Sequence, residues 1–175
     1  MEKNKVLVDV HNLVKEFPVS GSGKGVVHAV SDVSFQIYEG ETLALVGESG
    51  CGKSTLGRLL LRLLEPTSGE VIFDGTNVGK LKGKALREFR KEMQIIFQDP
   101  YASLNPRMNV ERIISEPLIT HKVCANKMET RHRVVELMQE VGIPVEFLRR
   151  YPHQFSGGQR QRVGIARALI MDPKL

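Results

Sequence analysis

Nine consecutive residues, Gly47-Glu-Ser-Gly-Cys-Gly-Lys-Ser-Thr55, restrict this chain more than any other stretch. They satisfy the pattern G-x-x-x-x-G-K-[ST] and lie between two recognisable elements. Before them, Thr42-Leu-Ala-Leu-Val46 is a short apolar run bounded by turn signals, the pattern of a strand buried on both faces. After them, Leu56 to Leu64 carries leucines at helical spacing with Arg58 and Arg62 four apart, and Pro66-Thr-Ser-Gly69 is the expected stop. Strand, glycine loop, helix is the order that stands out.

Each residue type in the loop has a physical reason. Glycines permit positive φ and a close approach of the backbone, so successive N–H groups can wrap an anion. Lys53 supplies a point charge for β- and γ-phosphates, Ser54 a hydroxyl for Mg²⁺, and the following helix points its positive end at the same place. From average composition the pattern arises by chance in roughly one chain of this length in two hundred. A bare glycine-rich turn is therefore the weaker reading, and ATP or GTP is the expected ligand. A guanine reader should carry N-K-x-D. Asn126-Lys-Met-Glu129 comes near but has Glu for Asp and opens a helical pattern, so Asn126 reads as a helix cap.

The rest of the chain is organised around this loop. With 175 residues and 41% hydrophobic content it has the size of one domain with a real core. Lys and Arg number 25 against 20 Asp and Glu, a net charge of +5, too mild to select a polyanionic partner. The densest basic stretch (Lys80, Lys82, Lys84, Arg87, Arg90, Lys91) is broken by Glu88 and Glu92 and reads as a solvated helix face. Cys51 and Cys124 stand in unrelated contexts, which suggests neither disulfide nor zinc and favours a reducing compartment. No signal-peptide core opens the chain and no apolar run reaches the length of a membrane span, so a cytosolic location is expected.

Val6 to Val14 and Val26 to Tyr38 read as strands, joined by a flexible loop over Pro18 to Gly25. Glu70 to Asp74 and Gln94 to Phe97 read as further strands around a helix from about Lys84 to Glu92. Val110 to His121, Lys127 to Val141 and Gly158 to Ile170 read as helices. In the second of these, Met128, Val134, Val135, Leu137, Met138 and Val141 are available for an apolar side, and in the last Val163, Ala166 and Ile170 share one. Lys174-Leu175 reads as the start of another strand.

A second phosphate-binding candidate precedes the last helix. In Phe155-Ser-Gly-Gly-Gln-Arg-Gln-Arg162 a hydroxyl, unobstructed N–H groups and a helix dipole point one way, and an ordinary cap needs less. This segment resembles the signature Leu-Ser-Gly-Gly-Gln of the ABC-type ATPases, with Phe155 in place of the leucine. The resemblance implies that Ser156, Gly157, Gly158 and Gln159 close over the ATP held by the P-loop of a second ABC ATPase domain. It implies also that Gly47, Glu48, Ser49, Gly50, Cys51, Gly52, Lys53, Ser54 and Thr55 bind ATP, and that Phe17 stacks on the adenine. Met93-Gln-Ile-Ile-Phe-Gln-Asp-Pro100 resembles the family's Q-loop, which makes Gln98, with Lys53, a catalytic residue and, with Ser54, a Mg²⁺ ligand.

Two further runs, Phe97 to Arg107 and Tyr151 to Gln159, resemble the ATPase subunits of oligopeptide, dipeptide and nickel importers. The implied fold is an α/β P-loop NTPase with an N-terminal antiparallel β part, an incomplete RecA-like core and a helical signature subdomain. All 175 residues are expected to form one nucleotide-binding domain: 1–98 the β part and P-loop core, 99–160 the Q-loop and helical subdomain, 161–175 the signature helix returning to the core. The implied setting is the cytoplasmic face of the inner membrane, with permease subunits meeting the Q-loop, a solute-binding protein acting indirectly, and no nucleic acid.

The family places its Walker B Asp, general-base Glu and switch His after the Asp-Pro that follows the signature helix, here Asp172-Pro173. None of the five histidines (His11, His28, His121, His132, His153) lies there. These residues alone are therefore expected to hydrolyse ATP poorly and to leave an apolar sheet edge unpaired at Thr42 to Val46. Two other functions remain open from the sequence: a non-catalytic nucleotide-binding fragment, and a non-transport ABC ATPase acting on nucleic acid or the ribosome.

Overall fold

The structure is a computed structural model that describes residues 5–19 and 25–175, and it divides into two compact units, Met1–Leu86 and Arg87–Leu175. The middle of the expected loop, residues 20–24, lies outside the described residues.

The first unit is built on an antiparallel sheet in the order β2-β1-β3-β4, with β1 Val6–Pro18, β2 Val26–Tyr38, β3 Ser68–Phe73 and β4 Thr76–Asn77. Strict alternation along β1 would send Val8, Val10 and then the polar Asn12 inward. The chain avoids this with a bulge. Asn12 takes φ 45°, the register with β2 shifts between Val10 and Leu13, and Leu13 becomes fully buried instead. The Asn12 amide N–H donates to Ser34 Oγ (2.8 Å) and its side-chain amide to Asp32 Oδ1 (2.8 Å), so the bulged residue finds acceptors for both amides. On the other side Gly69, at φ 82°, lies so close to the Asn12 carbonyl that a Cβ there would sit 2.2 Å from its oxygen. Helix α1 (Lys53–Leu60) turns Leu56 and Leu59 inward. It stops sooner than the leucine pattern suggests. Arg62 adopts φ 52°, beyond the last helical turn, and donates from Nη1 to Glu65 (2.7 Å). Arg58 and Arg62 therefore do not share a helix face.

Helix α2 (Gly83–Glu92) closes the first unit and opens the second. Phe89 is its buried residue, while Lys84, Arg87 and Arg90 are exposed as a solvated face should be. In the second unit, α3 (Pro100–Ser103), α4 (Val110–His121), α5 (Lys127–Glu140) and α6 (Gly157–Leu169) enclose one apolar cluster. Its fully buried members include Ile114 and Leu118 of α4, Val134 and Met138 of α5, and Val163 and Ala166 of α6. Each of the larger side chains contributes about 1.5–3 kcal/mol by leaving water. Of the side proposed for α5, Val135, Leu137 and Val141 are packed against this cluster but Met128 is 85% exposed. Asn126 caps α5 by accepting from the Glu129 N–H (2.9 Å), while the Glu129 carboxylate accepts from the Ala125 N–H (2.8 Å). The guanine-reader look-alike is thus a helix start.

Two expected strands do not form. Thr42 to Val46 and Gln94 to Phe97 are irregular, and Leu43, Leu45, Val46, Ile96 and Phe97 are exposed, Val46 by 88%. A strand is defined by a neighbour that takes its N–H and C=O groups, and among the described residues every ladder belongs to the antiparallel sheet. The second segment shows one trace of parallel pairing: the Gln94 N–H donates to the Leu175 carbonyl (2.8 Å) and the Leu175 N–H to the Glu92 carbonyl (3.1 Å). Those two bonds flank Met93 in the pattern of a parallel bridge.

Candidate functional site

The loop at the start of α1 is shaped by its glycines. Gly50 and Gly52 take φ 84° and 96°, the left-handed region. Gly52, the N-cap of α1, is pressed against β2, so that a Cβ there would fall 2.0 Å from the Ala29 carbonyl oxygen. Among the described residues no side chain caps α1, and no acidic residue occupies its first turn, so neither of these local devices offsets the positive end of the helix. Lys53 is folded into the loop. Its ammonium donates to the Gly47 carbonyl (2.7 Å) and the Glu48 carbonyl (2.6 Å), with Cys51 Sγ at 3.6 Å. Ser49, Gly50 and Ser54 are exposed and Thr55 is half-buried. A cleft of about 340 Å³ opens beside this loop between β2 and α1, lined by Ala29, Val30, Leu45, Val46, Gly52 and Lys53 among others.

Phe17 is half-buried near the end of β1, opposite Val27 of β2, with the Lys15 ammonium 4.9 Å over its ring. Val27 is two residues from Ala29, so the same strand carries the partner of Phe17 and the wall behind Gly52.

The second glycine turn, in the other unit, is arranged differently. Ser156 Oγ accepts from the Gln159 N–H (3.4 Å) and Gln159 Oε1 accepts from the Ser156 N–H (3.0 Å), a reciprocal capping box at the start of α6. A Cβ added at Gly157 or Gly158 would meet nothing within 4 Å. Phe155 is buried and meets Phe147 edge to face at 5.5 Å, so the substituted signature position is filled by apolar packing. A cleft of about 390 Å³ lies beside Ser156, Gly158 and Gln159, walled by Ile143, Pro144 and Phe147. His153 is exposed and stacked on Tyr151, with ring centroids 6.0 Å apart.

Gln98 is exposed, at a bend directly before Asp99, whose carboxylate caps α3 by accepting from the Tyr101 N–H (2.8 Å) and the Ala102 N–H (3.3 Å). The structure thus gathers Gly47 to Thr55 into one loop and Ser156 to Gln159 into another. Sequence patterns did not flag the residues that support them. Ala29 is an ordinary strand residue until its carbonyl meets Gly52, and Arg160 reads as one of several surface arginines although it is buried.

A glycine loop opening a helix beside a small antiparallel sheet, with a second glycine turn at the start of a helix in a separate helical unit, is the pattern of an ATP-binding cassette, and comparison with known proteins agrees. Residues 30–175 match the family described as ABC transporter, and the chain belongs to that family. It is 57% identical to the oligopeptide transport ATP-binding protein OppF of Bacillus subtilis, over 96% of this chain and 54% of the relative. It is 51% identical to the dipeptide transport ATP-binding protein DppF of Lactococcus lactis, over 99% of this chain and 56% of that one. To the glutathione import ATP-binding protein GsiA of Pectobacterium atrosepticum it is 55% identical, over 97% of this chain and 28% of the relative. The chain therefore spans about half or less of the length of these curated relatives. Among solved structures, an ATP-binding cassette captured as a dimer in a post-hydrolysis state with ADP and Pi superposes with a TM-score of 0.85 at 32% identity, covering 95% of this chain and 71% of that one. The antiparallel β part and helical subdomain expected from the signature are those of this fold. Among the described residues no helix is long and apolar enough to cross a membrane.

Proposed function

We propose that this chain is the nucleotide-binding part of the ATP-hydrolysing, energy-coupling subunit of an importer for peptides or nickel. The observation that carries the reading is the start of α1: an uncapped helix terminus, two left-handed glycines and a lysine ammonium already turned into the loop. A donor set of backbone N–H groups and one ammonium suits a polyphosphate, and the space that a Cβ at Gly52 would need is taken by Ala29, which explains why glycine stands there. In this reading Gly47 to Thr55 hold the phosphates of ATP and Lys53 neutralises their charge. By the family resemblance Ser54 and Gln98 would each serve as a Mg²⁺ ligand, and the ion when bound would supply charge for the transferring phosphoryl group. Phe17 offers its ring to adenine. Ser156, Gly157, Gly158 and Gln159 face the nucleotide of a second cassette.

The names of the relatives favour peptide import, and the single-domain layout and the Q-loop contact with permease subunits rest on the family resemblance, as does the place at the cytoplasmic face of the inner membrane. No general base is assigned among these residues, so slow turnover is expected of them in isolation. Fluorescent-nucleotide titration tests the central statement: Lys53→Ala should weaken Mg·ATP binding about 100-fold, the scale of one lost charge-assisted contact to phosphate. Equal affinities for variant and parent would remove the P-loop assignment.

A further inference from the structure

The turn after Gln98 is fastened to α6 by two arginines of that helix. Arg160 and Arg167 are seven residues apart, two helical turns, and so lie on one side of α6. Arg160 is 8% exposed: its Nε–H donates to the Pro152 carbonyl (2.6 Å), and its guanidinium carbon lies over the Tyr101 ring, 3.8 Å from the centroid. Arg167 donates from Nη1 to the Ser103 carbonyl (2.6 Å), the last residue of α3. Burial pushes the Arg167 guanidinium below its ordinary pKa, with Glu116 opposing; a guanidinium is charged in proteins, so its bond to the carbonyl is charge-assisted. Beyond it Leu104 is anchored in the apolar cluster.

These contacts are more than packing requires. Tyr101 is 65% exposed and contributes little to the core, yet its ring is held by one of the few buried charged side chains described. A guanidinium held over an aromatic face and bonded at its Nε is fixed at two points. Four residues before Arg160 stands Ser156, the cap of the helix, and three residues before Tyr101 stands Gln98. We infer that the Arg160–Tyr101 stack and the Arg167–Ser103 bond make α3 and α6 one lever, so that Tyr101, Arg160 and Arg167 are positioning residues that carry movement of the Gln98 turn to Ser156. The inference rests on the roles proposed above for Gln98 and Ser156, and it adds the linkage between them.

Tyr101 is the place to break the lever, because an exposed side chain can be changed without emptying the core. Two variants of the full-length protein suffice: Tyr101→Leu removes the ring and Tyr101→Phe keeps it. The first measurement is amide hydrogen exchange of residues 160–164 without nucleotide. Losing the stack should speed local opening there about tenfold in Tyr101→Leu, the scale of a partly desolvated cation–π contact, and less than twofold in Tyr101→Phe. Unchanged exchange in Tyr101→Leu would overturn the mechanical link. The second is ATP turnover by the assembled importer. Tyr101→Leu should lower the permease-stimulated kcat about tenfold at unchanged KM for ATP, and Tyr101→Phe should restore it. Faster exchange with undiminished stimulated kcat would overturn the coupling role while leaving the link. A parent protein that neither binds nor hydrolyses ATP would instead sink the functional reading, and the exchange result would still decide the link.

Discussion

The starts of α1 and α6 look alike in sequence, each a glycine turn with a hydroxyl residue running into a helix, but they are built on opposite terms. At α1 the chain itself requires glycine: Gly52 sits at φ 96° with the Ala29 carbonyl where a side chain would go, and no side chain caps the helix. At α6 the chain requires nothing of the kind, since Gly157 and Gly158 have open space around their missing side chains and Ser156 with Gln159 caps the helix. The first turn is shaped from within and leaves its N–H groups for a ligand. The second is complete without one, and its glycines leave the backbone open to approach, the feature that the proposed contact with a second nucleotide would use.

That contrast can be broken most forcefully at Gly52. Gly52→Ala combines a disfavoured φ with a backbone collision, and should cost about 2–4 kcal/mol in urea unfolding monitored by far-ultraviolet circular dichroism. A cost below about 0.5 kcal/mol would show that the loop can move off β2. Next in size is Ser156→Ala, which opens the capping box at α6 and should lower stability by about 1 kcal/mol in the same experiment. An unchanged midpoint there would mean the box is not formed in solution. The smallest effect belongs to Gly158→Ala. With no neighbour to strike, it should leave folding intact or stabilise it by up to about 0.5–1 kcal/mol through helix propensity, while ATP-driven pairing of the full-length protein, followed by sedimentation, is weakened. Loss of stability in that variant would erase the distinction between the two turns.

How much of this was legible in the sequence depended on where each element finds its partners. The ends of α4, α5 and α6 were readable to within a residue or so because Asn109, Asn126 and Ser156 are local caps and the apolar spacing is local too. Strands β1 and β2 were readable as extended valine-rich runs, but the bulge at Asn12 was not, since it depends on Asp32, Ser34 and Gly69 brought in from elsewhere. The reading went astray at Thr42 to Val46 and Gln94 to Phe97. An apolar run shows what a segment would bury, and says nothing about whether a neighbouring strand is there to receive its hydrogen bonds. At the site, the phosphate loop was evident from residue types alone. The support from Ala29 and the buried stack of Arg160 were not, because a backbone carbonyl and one arginine among many carry no pattern.

The posture of Lys53 changes how ligand capture by this loop should be pictured. Its ammonium is already bonded to the carbonyls of Gly47 and Glu48. An arriving phosphate therefore meets a side chain that folding has placed and paired. It exchanges partners with that cation, and part of the side-chain ordering that usually burdens a charged contact has been spent beforehand. The two carbonyls are internal rivals of the ligand, neutral acceptors that a charged phosphate oxygen outcompetes.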